Sequence, residues 1–429
     1  MSTATRASCV IVSAIDNDAP TPTWRRVGAL MFSHEALLAG FVYDPRYDGP
    51  PLDPVHLDYR GAGQRSFNFR VADGLPVPFN YALPSPKSLD GLAYYYYPDL
   101  ARMPETKVLH HLAHSENQGL RFERKTLVIG EETSYMLTNQ PNRGFHGRVT
   151  AFKDIEATNP QTRCSTQFRV GHHTYNGLPH LVAQDPDGSE WLVHRQPKNN
   201  PAHGPRIGAV IFSALQHAGF DVPRHQLMTL GNGDSVLMVE RQDVRAGQQL
   251  HTLPVSDLLP NSSGATYHQV VDLLRRSSAN PETDIERLAE HLVADLVFNN
   301  IGNDSRYMQL VASGHGYRLG AMYARMAQVH AAPFMTQVRA HGSCSLSRAE
   351  DLDLLGLSTG IPASVIEGKA VNLAKVVVKD LFAIAESHHL SPEDWGVLRA
   401  AIAVHQPAFA ADLRKTRPSQ AVAAHMLRP

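Results

Sequence analysis

LPHLVAQDPDGSEWLVHRQP (residues 178–197), followed by PRIGAVIFSALQHAGF (residues 205–220), holds the pattern on which the fold turns. The first segment reads as two extended apolar runs around Asp185-Pro-Asp-Gly188, and Asp-Gly between such runs marks a β-hairpin. In the second, Ile207, Val210, Ile211, Leu215 and Ala218 share one helical face, and Gly219 supplies a C-terminal cap. A helix packed on a hairpin is therefore expected at the centre of the chain.

Towards the N-terminus, the segments VGALMFS, LLAGFVYD and PRYDGPPLDPVHL read as short strands broken by Gly, Pro and Asp, so a small β-rich domain is expected from Arg26 to about Leu83. A bridge from Asp90 to about Arg124 contains the run Tyr94 to Tyr97 and VLHHLAHSENQGL, which reads as partly helical. Strand-rich text resumes from Thr126 to Glu240. Beyond Ser262 the period turns helical, with Tyr267, Val270, Val271 and Leu274 on one face and Ile285, Leu288, Leu292 and Leu296 on another. Ser391-Pro-Glu-Asp394 reads as a cap opening a helix through Trp395 and Leu398. The order is β-rich, mixed, then mostly α, an α+β class in three units: residues 1–125, 126–243 and 244–429, the last ending in a polar tail.

Composition narrows the partners. The chain has 429 residues, with 40 Lys and Arg against 41 Asp and Glu, so no global basic field favours nucleic acid or a membrane surface. Three cysteines, Cys9, Cys164 and Cys344, are too few and too scattered for a disulfide framework or a cysteine zinc site. No basic segment leads into a long apolar run at the N-terminus, and no stretch of eighteen apolar residues occurs, which predicts a cytoplasmic chain.

GFVYDPRYDGPPLDPVHL and VPFNYALPSP resemble the N-terminal domain of the HipA family of serine/threonine protein kinases, with its Phe-x-Tyr strand, Leu-Asp-Pro turn and Ala-Leu-Pro segment. Further pieces are similar to successive family segments: LMVERQD (237–243), HTLPVSDLLP (251–260), ATYHQVVDLLRR (265–276), FNNIGNDS (298–305), YRLGAMYA (317–324) and SLSRAEDLDLLG (345–356). The resemblance runs from about residue 26 to 415. It implies a bilobal, kinase-like fold behind an extra β-rich domain, with Glu240 to Asp243 at the hinge and a nucleotide cleft near His172, His173, Glu240 and Gln242.

Phosphoryl transfer needs a Lys on the phosphates, a Glu holding that Lys, an Asp orienting the attacking hydroxyl, and an Asn and an Asp on Mg²⁺. The resemblance places these parts on other residue types. The family lysine falls on His194 in WLVHRQP, and an imidazole, mostly neutral at pH 7, is a poor fixed cation. The partner glutamate, counted back from Pro223, falls on Gly208. The phosphate loop carries bulky residues from His172 to Asn176, where close backbone approach favours small ones. In the catalytic loop, Ile301 to Leu310, two registers are open: Asp304 as base with Gln309 at the metal-binding Asn, or Ser305 as base with Leu310 there. The metal-holding Asp becomes Ala324. Of the catalytic set, Asp304, in the first of these registers, is the only retained candidate.

The resemblance thus implies a pseudokinase that needs no ATP or Mg²⁺ and works through an antitoxin-like or other protein partner, without direct nucleic-acid or membrane contact. An enzyme refitted around His172, His173, His194 or Asp304, and an atypical kinase using ATP and Mg²⁺, are the alternatives. His110 and His114 have a chelating i, i+4 spacing, yet a solvated histidine cluster is the simpler reading, and no metal ligand is assigned. Cys164 near His172 and His173 reads as packing before it reads as a nucleophile. The Tyr94 to Tyr97 run cannot share one face, and Arg275-Arg276 and Arg414, Lys415 and Arg417 read as solvated surface.

Overall fold

The computed structural model describes residues 6–16, 23–33, 38–70, 75–82, 116–117, 119–128, 167–175, 178–184, 189–196, 204–229, 235–245, 248–259, 266–298, 308–322, 346 and 349–405. Six N-terminal strands form one antiparallel sheet: β1 (Arg6–Asp16), β2 (Thr23–Ser33), β3 (Leu38–Tyr43), β4 (Ser66–Arg70), β5 (Glu116–Asn117) and β6 (Leu120–Val128). Their order is β4-β3-β2-β1-β6-β5, and a short helix, α1 (Val77–Tyr81), follows β4 in the chain.

β1 lies inside this sheet, between β2 and β6, so the β domain starts one strand before the Arg26 expected from the sequence. Cys9 through Ile15 are buried on both faces, so the strand has no polar alternation to announce it. The end of the bridge, expected as part of a helical stretch, is instead the hairpin β5–β6, turned at Gly119 with φ +72. The segment VLHHLAH before it lies outside the described residues.

The second sheet is β7 (Gln167–Tyr175), β8 (Leu178–Gln184), β9 (Glu190–Gln196), β10 (His225–Thr229) and β11 (Ser235–Glu240), antiparallel throughout in the order β10-β11-β9-β8-β7. Gln184 pairs with Glu190, so the hairpin expected around Asp185 to Gly188 forms, although its turn lies outside the described residues. Between β9 and β10 runs α2 (Pro205–His217). Ala209 and Phe212 pack on Leu192, Leu237 and Val239 of the sheet, while Ile207, Val210, Ile211, Ala214 and Leu215 enter the core of the helical part. A helix apolar nearly all round belongs between two layers, and each fully buried aliphatic side chain contributes roughly 1.5–3 kcal/mol relative to exposure. Gly219, at φ +76, ends it, with Phe220 N–H donating to Leu215 O at 3.0 Å.

After the ribbon β12 (Val244–Arg245) and β13 (Gln248–Gln249) comes a small sheet of β14 (Thr252–Pro254), β15 (Gln309–Ser313) and β16 (Gly316–Leu319). Helices make up the rest: α3 (Val255–Leu258), α4 (Tyr267–Ser277), α5 (Pro281–Phe298), α6 (Ala349–Thr359), α7 (Ala363–Lys379), α8 (Leu381–Ser387) and α9 (Pro392–His405). A capping box of Thr266 and Gln269 opens α4. Ser391 opens α9 as expected, its Oγ accepting from Asp394 N–H at 3.0 Å.

The Leu52-Asp53-Pro54 turn joins the first sheet to this part. Tyr43 Oη donates to Leu57 O and accepts from Leu52 N–H, each at 2.8 Å, shaping the turn from inside. From the other side, Tyr317 Oη donates to Pro51 O at 2.6 Å and His251 Nε2 to Leu52 O at 3.0 Å. Ile15, Trp24, Leu250 and Val311 close the apolar side of the junction.

Candidate functional site

The residues expected to line the nucleotide cleft lie on the second sheet, on α2 and in the segment after β11. On β9, His194 pairs with Leu237 of β11 and is half-buried. Gly208 is buried in the first turn of α2, its N–H donating to Gly204 O at 2.9 Å. α2 packs on β9, so strand and helix are adjacent, as a Lys–Glu pair would require, but across Pro205–His217 the helix has no acidic residue. His172 and His173 lie in β7 where its register with β8 shifts between Val170 and Thr174, which places the expected phosphate loop in an irregular hairpin.

The segment after β11 is tied down by charge. Glu240 N–H donates to Arg224 O at 2.8 Å, and its carboxylate takes Arg224 Nε at 2.6 Å and also Nη2. The guanidinium of Arg224 sits 5.3 Å from the Trp191 ring centroid. Arg241 is 7 % exposed and binds Asp243 in a fork, Nε to Oδ1 at 3.0 Å and Nη2 to Oδ2 at 2.6 Å, while its Nη1 donates to Glu190 Oε2 at 2.8 Å. Gln249 Nε2 adds a bond to Asp243 Oδ2 at 3.1 Å. This network fixes the start of β9 to the exit of β11. Gln242 alone in the segment is exposed.

Gln309 opens β15 opposite Pro254 and is 7 % exposed, its carbonyl accepting from Gly320 N–H at 2.7 Å. Leu310, the other reading of the same position, is fully buried in the helical core. Asp304 and Ala324 lie outside the described residues. The structure thus brings His194, Gly208 and Glu240 to one sheet–helix unit and puts Gln309 on the neighbouring sheet. Sequence reasoning missed Arg224 and the Glu190–Arg241–Asp243 network. The spacing Arg241-x-Asp243 was a local signal for the second, whereas Arg224 meets Glu240 only because β10 and β11 pair. Among the described residues no three His, Cys, Asp or Glu converge as metal ligands, and no helix is long and apolar enough to cross a membrane.

The sequence matches no family model and no curated protein. The HipA toxin of Shewanella oneidensis MR-1, solved with HipB and operator DNA, superposes at TM-score 0.54 and 12% identity over 95% of this chain and 100% of that one. The fold is HipA-like. With coverage near complete on both sides, the HipA-like architecture includes the N-terminal sheet as well as the second sheet and the helical part. The proinflammatory kinase CtkA of Helicobacter pylori is also similar, at TM-score 0.40 and 11% identity over 59% of this chain and 96% of that one. At such identities the HipA-like likeness concerns the fold, and chemistry has to be argued from the side chains.

Proposed function

We propose that this HipA-like chain is a pseudokinase that acts by binding a protein partner or a modified ligand, built as units of residues 1–125, 126–243 and 244–429. One observation carries the reading: α2 holds no Asp or Glu from Pro205 to His217, so the helix on the sheet offers no carboxylate to a cation on β9. β9 itself, Glu190–Gln196, holds no lysine. Phosphoryl transfer depends on charges placed around the phosphates, and the loss of both partners of one ion pair is a coherent loss. Mg·ATP does not fit the residue set either, since Ala324 has no side-chain ligand atom and Mg²⁺ tolerates little departure from octahedral geometry. The HipA of Shewanella oneidensis MR-1 is seen with HipB, which supports an antitoxin-like protein as the class of partner.

The test is thermal melting with ATP, with and without Mg²⁺, beside incubation with labelled ATP. A ligand at a hundred times its Kd stabilises the native state by about 2.7 kcal/mol. No Mg²⁺-dependent rise in midpoint is expected, and no phosphorylation above that of Asp304→Ala. A Mg·ATP-dependent rise together with phosphorylation abolished by Asp304→Ala overturns the proposal in favour of an atypical kinase.

A further inference from the structure

Ser213 on α2, His225 at the start of β10 and His388 just past α8 meet at one point, although His388 lies 175 residues from Ser213 in sequence. Ser213 Oγ lies 3.1 Å from His225 Nε2 and 2.8 Å from His388 Nε2. The protons in this cluster can be placed. His225 Nδ1 is 3.2 Å from Pro223 O, and a carbonyl only accepts, so Nδ1 carries the hydrogen and Nε2 of the neutral ring accepts from Ser213. His388 Nε2–H must then donate to Ser213 Oγ. Phe212 stacks on the His225 ring, with centroids 5.3 Å apart, and Arg206 Nη1 donates to His388 O and His389 O at 3.3 and 3.4 Å, which positions both imidazoles. All three side chains line one open cleft of ≈ 560 Å³. Gly208 and Ser213, five positions apart, sit roughly 140° apart around the helix, and none of the residues expected in the nucleotide cleft lines this one.

We propose that Ser213 is a nucleophile with His225 as its base, and that the cleft takes an uncharged carboxylic ester. A hydroxyl donating to a base that is itself oriented by a third group is the arrangement nucleophilic catalysis requires. The walls favour an uncharged substrate: Trp191 and Leu227 are apolar, Gln216 and Gln226 are neutral amides, and the Arg224 guanidinium is engaged by Glu240. Burial lowers the pKa of His225 and of His388, which keeps both rings in the neutral form this chemistry uses. In the first step the Ser213 Oγ–carbonyl carbon bond forms as the hydroxyl proton passes to His225 Nε2. His388 Nε2–H, as it leaves Ser213 Oγ, would donate to the oxyanion, and Gln216 and Gln226 bring amide donors to the lining of the same cleft. Collapse breaks the bond to the leaving oxygen, which takes the proton from His225. Water then attacks the acyl-serine, again giving its proton to His225, and Ser213 recovers that proton as the acid departs.

The decisive experiment treats the full chain with a fluorophosphonate, which forms an O–P bond with release of fluoride, followed by trypsin and mass spectrometry. The peptide from Ile207 to Arg224 contains one hydroxyl side chain, that of Ser213. Its stoichiometric modification is expected, with no dependence on ATP, together with hydrolysis of p-nitrophenyl acetate that is lost in Ser213→Ala. His225→Gln, which keeps an amide in place of the base, is expected to slow labelling at least about a hundredfold. An unmodified 207–224 peptide under excess reagent overturns the proposal irrespective of how any variant folds. Labelling at an unchanged rate in His225→Gln overturns the role given to His225.

Discussion

Asp53 has no exposed surface, and its oxygens are fully used: Oδ1 accepts from the N–H groups of Val55 and His56 at 2.8 Å each, and Oδ2 meets His56 Nδ1 at 2.9 Å. Replacement by Ala strands two N–H groups inside the turn that carries the junction, and Asp53→Ala is expected to lower stability by about 1–3 kcal/mol in urea denaturation. Asp53→Asn, which keeps one oxygen, should lose less. His225 and His388 supply a pH dependence. Both have pKa values lowered from the usual 6.5 chiefly by burial, so protons bind more readily to the unfolded chain. Their contribution to stability is complete above about pH 6.5 and is lost as pH falls below it towards their folded values. The fall in melting temperature from pH 7 to pH 5 should therefore be smaller in a His225→Gln, His388→Gln double variant than in the unaltered chain. An equal fall in both would show that neither ring is held neutral.

At the scale of elements, the exit of β11 depends on one buried cation. Arg241 neutralises both Asp243 and Glu190, whose side chains are 10% and 12% exposed, so truncating it leaves two carboxylates with little water around them. Arg241→Ala is expected to cost about 3–5 kcal/mol, far more than an exposed pair such as Arg275 with Asp272, where the range is about 0–1 kcal/mol. Chemical denaturation of both single variants compares them directly. α2 belongs to the same scale. Its sequence announced an amphipathic helix with one apolar face, yet Ala209 and Phe212 also face protein, because the sheet covers one side and the helical core the other. One-dimensional periodicity shows which positions can be buried. It does not count the layers that bury them.

For the molecule as a whole, the junction between the first sheet and the rest is tight enough to be tested by one methyl group. A Cβ on Gly119 would stand 2.1 Å from the carbonyl carbon of Leu250 and 2.2 Å from His251 N, at a φ of +72 that side chains rarely adopt. Gly119→Ala is expected to lower stability by more than about 2 kcal/mol and to raise the protease sensitivity of the N-terminal sheet. Unchanged thermal and proteolytic stability would mean that Gly119 is not seated against Leu250 and His251.

The order of elements was largely legible in the sequence, because caps, turn residues and period are local properties: Gly219 ends α2, Ser391 opens α9, and Phe41 and Tyr43 are buried in the motif strand that suggested the family. That α2 carries no carboxylate was legible too, since it is a fact of composition. β1 escaped because a strand buried on both faces has no alternation to read, and its pairing with β6 spans most of the N-terminal unit. The tertiary structure alone decided where side chains meet. Arg224 reaches Glu240 through a strand pairing, and Ser213 finds His388 at a separation of 175 residues, a contact with no trace in spacing because it forms only when α8 packs against α2.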